Sequence, residues 1–141
     1  MTSPRYEDLE AADRAWSRGS PREAVERLDR IIRHSDDTDR RLRAVELLGE
    51  FGAAMRTGRR DIPSMADPGA EGTALTAVGV PVLIQALGDP DERIRLRACT
   101  ALRMIGTLAA AAIPPLRALE RASDPLLQTF AQRALRKIQP A

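Results

Sequence analysis

Few residues in this chain of 141 could carry chemistry by themselves. There is one histidine, His34, and one cysteine, Cys99. A side-chain nucleophile needs a base within hydrogen-bond reach, and a third group to orient that base. No Ser-His-Asp arrangement surrounds His34, and no second histidine stands near it. It falls where a helical pattern ends, a position that suits a basic residue at the negative end of the helix dipole. Cys99 lies between Ala98 and Ala101 beside an apolar stripe, where a free cysteine acts as a small core residue. One cysteine excludes an internal disulfide, and zinc-ligand spacing is absent. The acids cluster as Asp36, Asp37, Asp39 and as Asp89, Asp91, Glu92. Both clusters fall at expected inter-helix turns, where such residues cap helices. Gly69 and Gly72 follow no strand and precede no lysine, so no phosphate loop is expected. No catalytic residue, metal or cofactor is assigned.

What remains is a basic surface. Arg93 and Arg97 are one helical turn apart and share a face, with Arg103 to one side and Met104 close to its centre. From residue 74 to the end there are nine basic and five acidic residues, a balance of +4. Arg93, Arg97 and Met104 are therefore the candidate partner-binding residues. The competing reading is that these arginines are solvated and paired with acids such as Asp89 or Glu92.

These residues need elements to hold them. Val80, Leu83, Ile84 and Leu87 recur at helical spacing, with Pro81 set to start or kink that helix. Gly88 offers a C-cap, Asp89-Pro90 a turn, and Asp89 or Asp91 an N-cap. Ile94, Ala98, Ala101, Leu102 and Ile105 then form one stripe, closed by Gly106. Shifted by 33 residues the pattern returns: Val80 to Ile113, Pro81 to Pro114, Leu83 to Leu116, Ile94 to Leu127, Ala98 to Ala131, Leu102 to Leu135, Ile105 to Ile138. A repeated helix pair cannot bury its face alone, so stacked neighbours must supply the core.

The string PVLIQALGDPDERIRLRACTAL resembles a HEAT repeat, especially the short bacterial variety also seen in phycobilin lyases; the likeness is clearest over residues 78–138. It is carried by Pro81 in the first helix, Asp89 in the turn and Ile94-Arg95 early in the second. The resemblance implies that Asp89 and Arg95 are structural, members of a hydrogen-bonded ladder between successive repeats. The positions 33 residues on are Ala122 and Gln128, so the ladder should stop there. It also implies that stacked second helices line a concave face, which would carry Arg93 and Arg97, with Arg41 and Arg133 beside them.

Towards the N-terminus, Ser3-Pro4 and Ser20-Pro21-Arg22-Glu23 read as helix starts, the second with a capping box. Leu9, Ala12, Ala15 and Trp16 form one stripe, ended by Gly19; Val25, Leu28, Ile31 and Ile32 form the next; Leu42, Val45, Leu48 and Phe51 the third. Arg43-Ala44, Leu48, Phe51 and Gly52 match Arg97-Ala98, Leu102, Ile105 and Gly106 at a shift of 54, so the second and third helices form another, degenerate pair. Residues 5–35 also resemble a tetratricopeptide repeat, with Gly19, Ala24, Leu28 and Ile31 at its small and apolar sites. Residues 57–72 hold no helical stripe and read as a Gly/Pro-rich loop inserted between repeats or used for binding, with Ile62 and Met65 its sizeable apolar residues.

The expectation is one all-α domain over residues 1–141, a short right-handed α-solenoid of about three HEAT-like pairs plus an N-terminal helix. Helices are expected at about 4–17, 21–34, 39–55, 74–87, 91–105, 108–121 and 124–138, with ends good to about two to four residues. Composition agrees: 43% hydrophobic but only 3% aromatic, so the core is aliphatic and alanine-rich. The formal charge of +2 demands no polyanionic partner. The function expected is a non-enzymatic protein-interaction or scaffold module. The first alternative is nucleic-acid binding through the arginine face, as HEAT-like DNA glycosylases suggest; it lacks the interleaved aromatics that stack bases. The second is a lyase- or chaperone-type HEAT protein. Arg5, Glu7 and Asp8 stand where a signal peptide would be apolar, and the charge-free run from Thr73 to Leu87 is short for a membrane span. A cytoplasmic protein without a membrane partner is expected, with its oligomeric state open.

Overall fold

The computed structural model describes residues 6–58 and 69–139, and every regular element among them is helical. The order is α1 (Glu7–Ser17), α2 (Pro21–His34), α3 (Thr38–Gly58), α4 (Gly69–Ala74), α5 (Val80–Ala86), α6 (Glu92–Ile105), α7 (Ile113–Leu119) and α8 (Pro125–Ile138). A π-helical turn, Leu75–Gly79, joins α4 to α5, and a 3₁₀ stretch, Gly106–Ala112, leads into α7.

The elements stack in two layers. One holds α2, the α4–α5 run, and the 3₁₀ stretch with α7; the other holds α3, α6 and α8, with α6 in the middle. The repeats are therefore α2/α3, α4–α5/α6 and α7/α8, an all-α solenoid. The α1 helix lies mainly on α2 and reaches α3, where Trp16 stacks on Phe51 with ring centroids 4.3 Å apart and planes 2° from parallel. One core runs through all repeats. The expected stripes are buried in it: Leu9, Ala12, Ala15 and Trp16; Val25, Leu28, Ile31 and Ile32; Val45, Leu48 and Phe51, with Leu42 only half-buried; Val80, Leu83 and Leu87, with Ile84 only half-buried; Ile94, Ala98, Ala101, Leu102 and Ile105; Leu127, Ala131, Ala134 and Ile138.

The α3–α6 contact is the tightest. A Cβ added at Gly52 would stand 2.6 Å from Ile105 Cγ1, and one at Gly49 2.9 Å from Ala101 Cα. Gly52 thus serves close helix approach inside α3, whereas its counterpart Gly106 ends α6 at φ 79°, in the left-handed region that glycine tolerates. The stretch Glu92–Leu119 is long and apolar enough on average to span a membrane. In the fold it is not one straight rod, because Gly106 ends α6 before the 3₁₀ stretch and α7 begin.

Several local expectations are corrected. The inserted segment is shorter at both ends: α3 runs to Gly58, and helix resumes at Gly69, not near residue 74. Glycine and alanine hid this start, because close packing of Gly72, Ala74 and Gly79 leaves no large-residue stripe. Ile62, Met65 and the Ser3-Pro4 start lie outside the described residues. The capping box at Ser20 does not form: Ser20 makes no side-chain cap, and Glu23 accepts from Arg18 at 2.8 Å and Arg27 at 3.1 Å instead. Those charge-assisted bonds outcompete a single backbone N–H. Gly88 adopts no left-handed φ; α5 ends in ordinary turn bonds, Gly88 N to Gln85 O at 3.0 Å and Asp89 N to Ala86 O at 3.2 Å. Pro81 is the second residue of α5, just past the π turn. Proline lacks an N–H and clashes with the carbonyl four residues back, and a widened turn relieves both.

Candidate functional site

The three second helices begin alike. Asp37, Asp91 and Asp124 are equivalent at shifts of 54 and 33, and each caps its helix. Asp37 Oδ1 accepts from Asp39 N at 3.0 Å, Asp91 Oδ1 from Arg93 N at 2.8 Å, and Asp124 Oδ1 from Leu126 N at 3.0 Å. One aspartate of each acidic turn is thus taken by capping. Asp89 does not cap; it accepts from Asp91 N at 2.9 Å and pairs with Arg41 of the preceding repeat, both side chains mostly buried. Arg95, the counterpart of Arg41, turns to its own turn's backbone, donating to Asp89 O at 2.7 Å and Pro90 O at 3.1 Å. Gln128 is next in that column, and it donates to Ala122 O in the same way. So the carboxylate bridge joins the first two repeats through Asp89. In the third, Ala122 offers no carboxylate and a shortened side chain keeps the backbone bond.

The same register defines the exposed face of the second helices. Asp39, Arg43, Glu46 and Glu50 of α3 correspond to Arg93, Arg97, Thr100 and Met104 of α6, and to Leu126, Phe130, Arg133 and Lys137 of α8. Between α3 and α6 this face holds a groove of about 230 Å³, lined by Arg43, Glu46, Glu50, Arg97, Thr100, Ala101 and Met104. Met104 is half-buried, with its sulfur at the position that a Cβ on Gly49 would crowd to 3.0 Å. Arg97 meets Glu46 at 3.3 Å, and Arg43 meets Glu50 at 2.7 Å and Glu46 at 3.5 Å. Arg93 meets Asp91 at 3.2 Å and Asp39 at 3.6 Å. The hydrogen bond from Arg93 holds the Asp91 carboxyl below the usual carboxylate range.

Arg93, Arg97 and Met104 therefore share one face, as their spacing implies, but both arginines are paired. Two of the acids, Asp39 and Glu46, come from α3, more than fifty residues back in the chain, rather than from Asp89 or Glu92. The α8 part differs. Leu126 is the one exposed large apolar residue among the described residues, at 47%. Phe130 is half-buried beneath Arg133, whose guanidinium lies 6.0 Å from the ring centroid. Arg133 and Lys137 pair with no carboxylate among the described residues.

Cys99 is fully buried and desolvation pushes its thiol up to about 12, so it is not poised as a nucleophile. His34 is exposed at the end of α2. No group of three potential metal ligands occurs among the described residues.

Two stacked helix pairs, a third with the same caps, and one continuous core define a repeat protein. The family model for HEAT repeats matches residues 27–136, most of the chain. The chain belongs to the HEAT-repeat family. The match begins within α2, so α1, where the tetratricopeptide resemblance starts, is outside it. No curated protein matches the chain. HEAT repeats generally serve as protein-interaction scaffolds.

Proposed function

We propose that this HEAT protein is a non-enzymatic interaction module that docks a protein segment along α3, α6 and α8, with Arg93, Arg97 and Met104 at the contact. The observation that carries this reading is the groove between α3 and α6: an Ala101–Met104 floor and a rim of Arg43, Arg97, Glu46 and Glu50. Protein interfaces are built that way, with an apolar centre and a polar rim, and arginine and methionine are enriched in them. Across α3 and α6 the three acids of the face offset the three arginines, which suits a partner carrying both signs better than a phosphate backbone. Nucleic-acid affinity rests on cations free to neutralise phosphates.

The test is the double variant Arg93→Glu with Arg97→Glu, which sets each new carboxylate against Asp39 and Glu46. The fold should survive, since both sites are exposed. Capture of the native partner from cell extract should be lost relative to wild type. If the variant instead loses a steeply salt-dependent affinity for DNA or RNA, the nucleic-acid reading replaces this one. If neither changes, this face is not the site.

A further inference from the structure

A second concavity lies at the opposite margin of the first repeat and shares no lining residue with the groove. It has a volume of about 290 Å³ and sits where α1, α2, and the start of α3 meet. Arg27 and Arg30 of α2, His34 at its end, Ser35 in the turn and Arg40 of α3 face it, opposed by Asp8 of α1. Three guanidiniums and an imidazole against one lining carboxylate is a lopsided set.

The individual bonds sharpen this. Arg27 pairs with Glu23 at 3.1 Å, but Glu23 is shared with Arg18. Arg30 is exposed and makes no ion pair or hydrogen bond among the described residues. Arg40 is held in place, donating to Ser35 Oγ at 3.2 Å and Asp8 Oδ2 at 3.2 Å. Its Nε is buried with no acceptor, which leaves a donor of a charged group unsatisfied. Asp8 pairs with Arg40 alone among the described residues, and its side chain is 61% exposed. A solvent-facing carboxylate on Arg40 occupies the place that an oxyanion would take.

We propose that this concavity binds a small phosphate-class oxyanion, either free phosphate or the phosphoryl group of a small monoester. Arginine forks suit phosphate oxygens in geometry and charge. A volume at the bottom of the range of small-molecule sites, roughly 300–1,000 Å³, fits a compact head group rather than a large apolar ligand. The end of α2 presents carbonyls, the unfavourable end of a helix for an anion. The first amides of α3 are already taken by Asp37. Binding must therefore come from the side chains, displacing Asp8 from Arg40, and it is weak.

The experiment is an amide NMR titration of the whole chain with inorganic phosphate, at ionic strength fixed with chloride, and a parallel titration with glycerol 3-phosphate. Saturable shifts should gather at residues 27–41 with a Kd of about 1 mM or tighter. Arg30→Gln, a change at an exposed site, should weaken binding by about tenfold, in line with the loss of a charge-assisted bond. Asp8→Asn should tighten it by about twofold to fivefold, because an exposed internal ion pair no longer competes. Equal affinity for the two probes assigns the site to the free ion; tighter binding of the ester assigns it to a phosphorylated small molecule. Shifts that stay linear with both probes, or that Arg30→Gln and Asp8→Asn leave unchanged, overturn the proposal.

Discussion

Replacing Gly52 with alanine tests the central contact of the solenoid, because two effects oppose each other there. Alanine is the better helix former by about 1 kcal/mol, so Gly52→Ala would stabilise α3 if that helix stood alone. In the fold the new Cβ meets Ile105, 2.6 Å from Cγ1, 2.9 Å from Cα and 3.2 Å from N. The Ile105 side chain could turn away, but its backbone cannot, and it is buried at 1% exposure. Relief requires α3 and α6 to part along the longest contact in the molecule. Overpacking of this kind costs about 1–3 kcal/mol, occasionally more. After the propensity gain of about 1 kcal/mol, the net effect is a loss of up to about 2 kcal/mol. For a domain of this size that lowers Tm by up to roughly 8 °C. The assay is urea unfolding followed by far-UV circular dichroism, with Gly88→Ala as the companion. A Cβ at Gly88 meets only Gln85 O at 3.7 Å, and its φ is not left-handed, so that variant should be neutral or stabilising by up to about 1 kcal/mol. If Gly52→Ala is as benign as Gly88→Ala, the close approach of α3 to α6 is wrong.

Three further outcomes are expected. Leu102 is fully buried, so Leu102→Ala should cost about 2–5 kcal/mol in the same unfolding assay, while Arg93→Ala at an exposed pair should change stability by less than about 0.5 kcal/mol; equal effects would mean that the face of α6 is misassigned. Asp89→Ala leaves Arg41 in a mostly buried place without its carboxylate and should cost about 1–3 kcal/mol, with much of that recovered when Arg41→Met is added; a double variant as unstable as the single would argue against the inter-repeat bridge. Cys99 should resist a thiol-reactive disulfide reagent in the native state and react only on unfolding. Its folded pKa of about 12 exceeds the ordinary 9.0, so the stabilisation tied to the buried thiol is complete below about pH 9 and is lost as pH rises towards 12; rapid labelling of the folded protein at neutral pH would contradict that burial.

The sequence alone determined the helical pairs and which side of each is buried. Apolar spacing is a local property, read along one helix at a time, and the returns at 33 and 54 residues showed that the units stack. It also carried the stop signals at Gly19 and Gly106, since a left-handed residue favours glycine wherever it occurs. Tertiary structure decided the rest. Arg93 and Arg97 stand on the predicted face, but Asp39 and Glu46 reach them from α3, and no spacing within α6 could have disclosed those acids. The capping box at Ser20 lost Glu23 to two arginines, one in the same helix and one before it. Gly52 was legible as a repeat position but not as a contact, because its role depends on how near α6 comes. The small basic concavity was invisible for the same reason. Its residues come from three helices, and charge in a folded protein is summed over distance in space rather than along the chain.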